Sequence, residues 1–378
     1  MRLIVVQFPW QQESWNWIIN WIWLLLLLVY MFYGQRLQVS IWVRQIKRAL
    51  QKLEYMVRKG KEITIKAFRD VGNSDANIVS RINDFLEFFM IEPVDRDPSG
   101  IMYKLEHLVN VRDERFEHIV AELAPNVSRD QAANLENVLE AIIALNFIYR
   151  IVRHFLILGE KTKSYILILQ LQMQLPEIMK YANAYFDALK AFVDGKPIGD
   201  GAGVLSVTRL LREHGVVGKE QYEEIVKDTV IAQTKIDDRT VIAVRARGPG
   251  GTVGKPGEAI RKLFEERKLK IDRIIMIDAG IKLEGEKTGG IMEGVGAAIG
   301  GIGIDKYKIE EVATKYKVPL DAIIIKESIE EAVSPMRREI AEATRKVVER
   351  IKRIINERTK PGDVILVAGI GNTIGIGY

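Results

Sequence analysis

Two aspartates stand where an acidic side chain can do chemistry. Asp278 directly follows the apolar run 274–277, so it lies at the carboxyl end of a predicted strand, where ligands and catalytic groups gather in parallel sheets. Asp200 lies in the segment Gly-Asp-Gly-Ala-Gly at 199–203, whose glycines allow a substrate backbone to approach closely. Because an acid at either position can instead cap a helix or loop, both chemistry and capping are open for these residues.

A glycine-rich loop at 248–257 opens a predicted helix and can cradle a phosphate group with its backbone amides. The loop reads GPGGTVGKPG, and it matches neither the P-loop, which needs Gly-Lys-Ser/Thr, nor G-x-G-x-x-G. A nucleotide- or phosphate-binding enzyme is therefore a hypothesis with only a weak signature.

The composition excludes several other kinds of site. The chain has no Cys, which removes disulfides, thiolate metal sites and Cys nucleophiles and fits a reducing compartment or a thermophile. Its four His show no metal-ligand spacing. The net charge is +5, but residues 36–60 alone carry seven Lys or Arg against one Glu. No nucleic-acid partner is expected, because the excess of positive charge belongs to this one short segment.

The candidate residues lie in a predicted α/β domain, residues 195–378, which contains 25 of the 30 Gly. Continuous apolar runs that alternate with helical segments predict a three-layer domain with a mainly parallel sheet. The predicted strands are 241–244, 274–277, 322–325 and 364–368. The predicted helices are 257–268, 309–316 and 335–357. Glycine-rich runs follow three of these strands, at 248–257, 280–303 and 369–377.

Residues 35–194 are predicted to form an all-α helical middle domain, because apolar residues recur three and four apart and Gly is scarce. Breaks are predicted at 95–100 and at 124–130, where Ser128 resembles a helix N-cap. The apolar stretch 141–158 is predicted to be a packed bundle helix rather than a membrane span, since Arg150, Arg153 and His154 interrupt it. Homo-oligomerisation or partner docking are the roles we expect for this domain.

Residues 15–34 are predicted to form a single transmembrane helix. The segment 15–33 carries no charge, matches the ~30 Å hydrocarbon layer in length and has Trp or Tyr at both ends. A cleaved signal peptide is the alternative, but no small-residue cleavage site follows. The basic segment 36–60 then places residues 1–14 outside the cell membrane and the bulk of the chain in the cytoplasm. The lipid bilayer is thus an expected partner.

Residues 241–280 resemble the bacterial spore germination proteases, in which a P-G-V-x-G-x-T-G loop opens a helix and leads to a strand ending Asp-Ala. The resemblance continues through 288–291, 294–301 and 318–332. The first strand and first helix that this superfamily shares with hydrogenase maturation proteases are represented here by 365–373 and 197–207, in circularly permuted order. Residues 371–378 must then lie close to residues 197–200. The whole chain also resembles an archaeal family of uncharacterised, membrane-anchored proteins.

The resemblance implies that Asp200 and Asp278 are the catalytic or metal-contacting acids, either sharing a water or holding a divalent cation. Glu284, in the glycine-rich run that follows Asp278, is a candidate to complete such a cation site. The resemblance also implies a protein or peptide substrate. The candidates to contact the substrate backbone, chosen from the glycine-rich loops and the end of the last strand, are Gly201, Gly250, Gly251, Thr252 and Asn372. Three departures weaken the implication. Val204 replaces the family's Pro, Lys282 is the base nearest to the expected Arg, and the nickel-binding His is absent.

Two functions of different classes follow with equal weight. The chain is a membrane-anchored peptide-bond hydrolase, or it is a non-catalytic oligomeric scaffold whose glycine-rich rim binds a peptide or another ligand.

Overall fold

A computed structural model of the chain describes residues 10–71, 77–91, 93, 100–301 and 303–378. They form two compact units, one made of residues up to Tyr55 with Ile148–Met179, the other of Met56–Phe147 with Lys180–Tyr378. Most of the predicted outer segment 1–14, and the predicted break 95–100 except Gly100, lie outside the described residues.

Within the described residues, five α-helices end before residue 195, and they confirm the predicted helical N-terminal region. They are α1 (Trp10–Val71), α2 (Ile78–Phe85), α3 (Ile101–Leu123), α4 (Arg129–Thr162) and α5 (Tyr165–Val193). The apolar stretch 141–158 lies within α4, where Ile142 and Leu145 are fully buried and Phe147 is exposed. A buried and an exposed face are what a packed bundle helix requires.

The first unit contains the N-terminal part of α1. From Trp17 to Tyr30 every side chain of this helix is exposed. Further along, Trp42 packs on Tyr165 with ring centroids 5.5 Å apart, and Lys47 lies 2.7 Å from Glu160. By length and apolar composition, α4 qualifies as a membrane span by itself. Within α1, the segment Trp17–Tyr30 qualifies only when it is taken together with Tyr33–Val71, from which it is bent by 47°.

A seven-stranded mixed sheet forms the core of the C-terminal domain. The strands are β1 (Glu223–Val226), β2 (Thr229–Ile236), β3 (Arg239–Ala246), β4 (Arg273–Ile281), β5 (Ile291–Val295), β6 (Leu320–Glu327) and β7 (Val364–Gly369). Their order is β1-β2-β3-β7-β4-β6-β5. The four predicted strands are β3, β4, β6 and β7, and they are mutually parallel.

The prediction of a mainly parallel sheet is correct only for its centre. Strands β1 and β2 pair antiparallel, as do β2 with β3 and β5 with β6. The β2–β3 hairpin turns at Asp237 and Asp238, which have φ of 45° and 59°. Positive φ at both central residues is typical of the two-residue turn that matches strand twist, and Asp tolerates it.

Helices cover both faces of the sheet, so the domain has the predicted three layers. One layer contains α6 (Ala202–Glu213) and α10 (Arg338–Arg358), and the other contains α7 (Pro256–Glu265) and α8 (Ile304–Tyr316). A short helix, α9 (Ile329–Val333), follows β6. Side chains alternate between the layers, as the pleat of a strand requires: Ile275 and Ile277 pack with α6 and α10, Ile274 and Met276 with α7 and α8.

The segment after β7 folds back beside the start of the domain, which confirms the predicted proximity of residues 371–378 to residues 197–200. The amide of Asn372 donates a hydrogen bond of 2.7 Å to Oδ2 of Asp200. A β-carbon added to Gly375 would lie 2.6 Å from the ring of Pro197. The guanidinium of Arg245, which is fully buried, donates to the carbonyl oxygens of Ile376 and Gly377 at 3.1 and 2.9 Å.

The first turn of α6 lies directly over the carboxyl ends of β4 and β7. A β-carbon added to Gly203 would lie 2.3 Å from the carbonyl oxygen of Ile277 and 2.4 Å from that of Ile370. Both neighbours are backbone atoms and cannot rotate away. The approach of α6, which positions Asp200, therefore requires glycine at 203.

We expect Gly203→Ala to destabilise the protein by about 1–3 kcal/mol, the usual cost of overpacking. In an exposed helix the same change would stabilise by up to about 1 kcal/mol, so the sign reports the close packing. Thermal unfolding measures it. Gly294→Ala is the matched control, because nothing lies within 4 Å of the added carbon. Equal melting temperatures for the two variants would contradict the close approach of α6.

Candidate functional site

A cleft of about 460 Å³ opens at the carboxyl ends of β4 and β7, and both Asp200 and Asp278 line it. The loop Gly300–Gly301 and the beginnings of α7 and α8 form a second side. Helix α3 of the helical region forms another wall with Glu106, Asn110, Arg112 and Asp113. No local motif marks α3, so the amino-acid sequence alone does not place this helix at the site.

Asp278 lies near the end of β4 and is 6 % exposed. Its Oδ1 accepts a hydrogen bond of 2.8 Å from the amide of Ala279, and its Oδ2 accepts one of 3.2 Å from the amide of Gly300. Burial and the charge of Asp200 raise the pKa of Asp278 to about 7, although the two amides oppose the rise. At neutral pH this carboxyl group is therefore poised between its protonated and ionised forms.

Asp200 lies in the single 3₁₀ turn Gly199–Gly201, immediately before α6. Its side chain does not cap either helix, and its Oδ2 accepts the amide of Asn372. Burial raises the pKa of Asp200, and the hydrogen bond from Asn372 opposes that rise. The negative charge of either carboxylate disfavours ionisation of the other, so the pair releases its two protons in separate steps.

Glu327, at the end of β6, is a third acid that sequence analysis missed. It is 2 % exposed, and neither of its carboxylate oxygens has a hydrogen-bond partner among the described residues. A β-carbon added to Gly199 would lie 2.4 Å from its Oε2, so the carboxyl group abuts the turn that holds Asp200. Burial, followed by the charge of Asp200, raises the pKa of Glu327 to about 9. Its position after an apolar strand is the same signal that identified Asp278.

Glu331 is a nearby buried acid whose carboxylate, unlike that of Glu327, is paired with cations and hydrogen-bond donors. It follows in α9, and its carboxylate lies 2.9 Å from Arg337 and 3.7 Å from Lys282. It also accepts the amide of Ser328 and the hydroxyl of Thr288, so its pKa stays below the usual value despite burial. Among the described residues, no Lys or Arg forms an ion pair with Glu327, and a neutral, protonated carboxyl group is the form that its surroundings favour.

The glycine-rich loop predicted to bind substrate instead contacts α4. The amide of Gly251 donates to Oδ1 of Asn134 at 2.8 Å, and the carbonyl of Gly251 accepts from the side chain of Asn137. A β-carbon added to Gly250 would lie 2.7 Å from the Cα of Asp130. The backbone at Gly250 and Gly251 is therefore occupied by the helical region rather than open to a substrate.

The other predicted substrate-binding residues are also engaged within the protein. Thr252 donates its amide to Gly250 and Thr373. Gly201 packs on the carbonyl of Asn372, and the side chain of Asn372 donates to Oδ1 of Asn137 at 3.0 Å. The structure brings Asp200, Asp278, Gly201 and Asn372 together, with Asn372 acting on Asp200 through its backbone.

The same loop has few features of a phosphate site. Besides Gly251 and Thr252, the amide of Gly254 donates to the Thr252 hydroxyl, that of Lys255 to the Thr229 hydroxyl, and that of Gly257 to Asp305. A phosphate cradle needs amides that point at the ligand, and these five amides already have protein acceptors.

The predicted metal ligands do not fit a divalent cation. The side chain of Glu284 is 97 % exposed and lies 3.4 Å from Lys180, because the loop after β4 carries it into solvent. Within the described ranges, no group of three or more Asp, Glu or His side chains is arranged to hold a metal. Glu284 is therefore corrected to a surface residue, and the site consists of Asp200 and Asp278 with Glu327 behind them.

We expect the protein to lose stability as pH rises from about 5 to about 9. Asp278 and Glu327 have pKa values of about 7 and about 9 in the folded protein, against about 4 in an unfolded chain, so the folded state holds their protons more tightly. Stability from these protons is complete below pH ~4 and is lost as pH passes each folded-state value. Glu327→Gln, which is neutral at every pH, should flatten the fall in melting temperature.

Melting temperatures at about pH 5, 7 and 9 span the folded-state values and test this expectation. Glu284→Gln is the control, since its exposed side chain should leave the pH dependence unchanged. If the melting temperature of Glu327→Gln falls with rising pH as steeply as that of the unaltered protein, Glu327 is already ionised at neutral pH.

Two protein-family models match the chain. Residues 198–377 match the model described as domain of unknown function (DUF1512) C-terminal, and residues 20–195 match protein of unknown function (DUF1512) N-terminal domain. A search of the curated proteins finds no match. Since the two models together span most of its length, the chain belongs to the DUF1512 family.

Proposed function

We propose that the chain is a hydrolase of peptide bonds in which Asp200 and Asp278 act as an acid pair. The observation that carries this proposal is that both carboxyl groups line one cleft and influence each other's ionisation. Two carboxyl groups with unequal proton affinity can serve as base and acid in one reaction. The resemblance to germination and hydrogenase maturation proteases, in permuted order, supports the same assignment, since 371–378 lie beside 197–200 as that order requires.

The proposed reaction needs only these two side chains and water. Ionised Asp200 takes a proton from a water whose oxygen attacks the peptide carbonyl carbon, while protonated Asp278 donates its proton to the carbonyl oxygen. Asp200 then gives its proton to the departing nitrogen as the C–N bond breaks. One hydroxyl of the tetrahedral intermediate returns a proton to Asp278, so both groups end as they began.

A non-catalytic binding module is the second candidate. It is favoured by the contacts of Asn134 and Asn137 with the glycine-rich loop, which occupy positions predicted to bind substrate. On this alternative the cleft binds a ligand, and the buried acids fix its shape. The alternative and the hydrolase differ in whether bound peptide is cleaved.

A membrane anchor formed by α1 is a further part of the proposal. It is supported by the exposure of apolar side chains on all sides of 17–30, for example Leu25 at 63 % and Leu27 at 61 %. A helix that is apolar all round and unpacked suits a lipid environment. The basic segment 36–60 favours a single pass with the N-terminus outside and the bulk of the chain in the cytoplasm. Homo-oligomerisation through the helical region is the remaining part of the proposal.

We expect Asp200→Asn and Asp278→Asn each to lower peptide hydrolysis by about 10²–10⁴-fold, the usual contribution of a general acid or base. Cleavage of a mixture of fluorogenic peptides by the full-length protein measures the loss. Because Asp278 must hold a proton to act as the acid, the unaltered protein should also lose activity as pH rises through about 7.

Glu284→Gln is the matched control for this experiment, because it removes an acid that is exposed and paired with Lys180. It should cleave at the unaltered rate. Peptide binding without cleavage by the unaltered protein, or full activity in both Asn variants, would reject the acid pair and leave the binding module.

We expect Leu25→Arg/Leu27→Arg to release the protein from membranes, because each Arg at the centre of a span costs about 2.5–3.5 kcal/mol on insertion scales. Flotation of liposomes carrying the full-length protein, after an alkaline wash, measures attachment. Phe147→Arg on α4 is the control, since Phe147 is 61 % exposed and α4 is proposed to lie outside the bilayer. Release by Phe147→Arg alone would instead assign the span to α4.

A further inference from the structure

Asp200 depends on its hydrogen bond with the amide of Asn372. The amide lies 2.7 Å from Oδ2 of Asp200, and this bond opposes the effect of burial on the carboxylate. A hydrogen bond that favours the ionised form is what a carboxylate needs to act as a base. Whatever holds the backbone at Asn372 therefore also preserves a hydrogen bond that favours the ionised form of Asp200.

The backbone at this point has an unusual geometry. Gly371 has a φ of 121°, which side-chain-bearing residues rarely adopt. A β-carbon added there would lie 1.8 Å from the carbonyl oxygen of Asp200. The turn at Gly371 thus brings the amide of Asn372 into close contact with Asp200. Further contacts of this turn with the rest of the protein fix its position.

The side chain of Asn372 supplies that hold. It is 6 % exposed, its Oδ1 accepts the amide of Ile374 at 2.9 Å, and its Nδ2 donates to Oδ1 of Asn137 at 3.0 Å. One contact closes the local turn. The other joins the turn to α4 of the helical region.

Asn137 can present its amide group in only one orientation. Its Nδ2 donates to the carbonyl oxygen of Ala133 at 2.7 Å and to that of Gly251. Both N–H groups are thereby used, so Oδ1 must face Asn372. This orientation in turn directs the NH₂ group of Asn372 towards Asn137 and its oxygen towards Ile374.

We infer that Asn137 is a positioning residue of the acid site: the helical region, through Asn137 and Asn372, holds in place the backbone amide that donates a hydrogen bond to Asp200. This inference rests on the proposed function, because it assigns a role in that reaction. It also means that the C-terminal domain does not contain all of its own site.

The remaining charged groups around the pair belong to other elements. Behind it lie Glu327 of β6 and Glu331 of α9, the latter paired with Lys282 and Arg337. Across the cleft lie Glu106, Arg112, Asp113, Lys255, Asp305 and Lys308. The hydrogen bonds of Asn137 go to Ala133, Gly251 and Asn372, so replacing it leaves all these groups in place.

The test is Asn137→Ala in the full-length protein, with Asn134→Ala as the matched control. Asn134 bonds to the same loop, at the amide of Gly251, but its bond is to that loop alone. We expect Asn137→Ala to lower kcat/KM by about tenfold, as the loss of a bond supporting a charged group does, mainly through kcat. The pH range over which Asn137→Ala cleaves peptide should narrow at both its acidic and its basic end. Asn134→Ala should keep the pH–activity profile of the unaltered protein.

A second readout does not need activity. The infrared carboxyl band that disappears in Asp278→Asn reports the protonation of Asp278. When Asp200 is less readily ionised, Asp278 feels less negative charge, so in Asn137→Ala this band should vanish at lower pH than in the unaltered protein.

Asn372→Ala guards against misfolding of the first variant, because it removes the same contact from the other side and keeps the backbone amide. If the hydrogen bond between Asn137 and Asn372 is responsible, the variant carrying both Ala substitutions shifts the pH at which the carboxyl band vanishes no further than either single variant does. An unshifted band in both single variants overturns the inference while leaving the acid pair intact. A shifted band in a protein that cleaves no peptide rejects the proposed function and upholds the positioning role.

Discussion

The whole site depends on β7 lying between β3 and β4 at the centre of the sheet. This strand pairs with both neighbours in parallel, so its carboxyl end lies at the same edge as that of β4. The segment after β7 then reaches Asp200, which precedes every strand in the chain. Residues almost at opposite ends of a 180-residue domain become neighbours through this pairing alone.

The raised pKa values of the buried acids follow from the way helix α6 covers this edge of the sheet. The first turn of α6 packs on the carbonyls of Ile277 and Ile370, and the side chains of Asp278 and Glu327 near this edge are buried. Burial is accordingly the largest cause of the raised pKa at both residues. Holding carboxyl groups in this way costs stability at high pH, and strongly shifted acids of this kind cluster at functional sites in proteins.

Sequence reasoning succeeded where a signal was local and failed where it was not. Continuous apolar runs marked β3, β4, β6 and β7, and the order of motifs placed 371–378 beside 197–200. Strands β1 and β5 at the two edges of the sheet, and β2 next to β1, mix polar and apolar residues, so no continuous apolar run revealed them. Glu284 was assigned to the site because it follows Asp278 closely in the chain, but the intervening loop turns it into solvent. Asn137 and α3 reach the site only through tertiary packing, which no spacing in the sequence encodes.

The central place of β7 also has a consequence for biosynthesis. Six strands emerge from the ribosome before it, and they belong to two separate sets, β1-β2-β3 and β4-β6-β5. Neither set can join the other until the seventh strand is available to pair with both. The acidic cleft is therefore assembled last, when translation of the domain is nearly finished, and a nascent chain carries no completed centre.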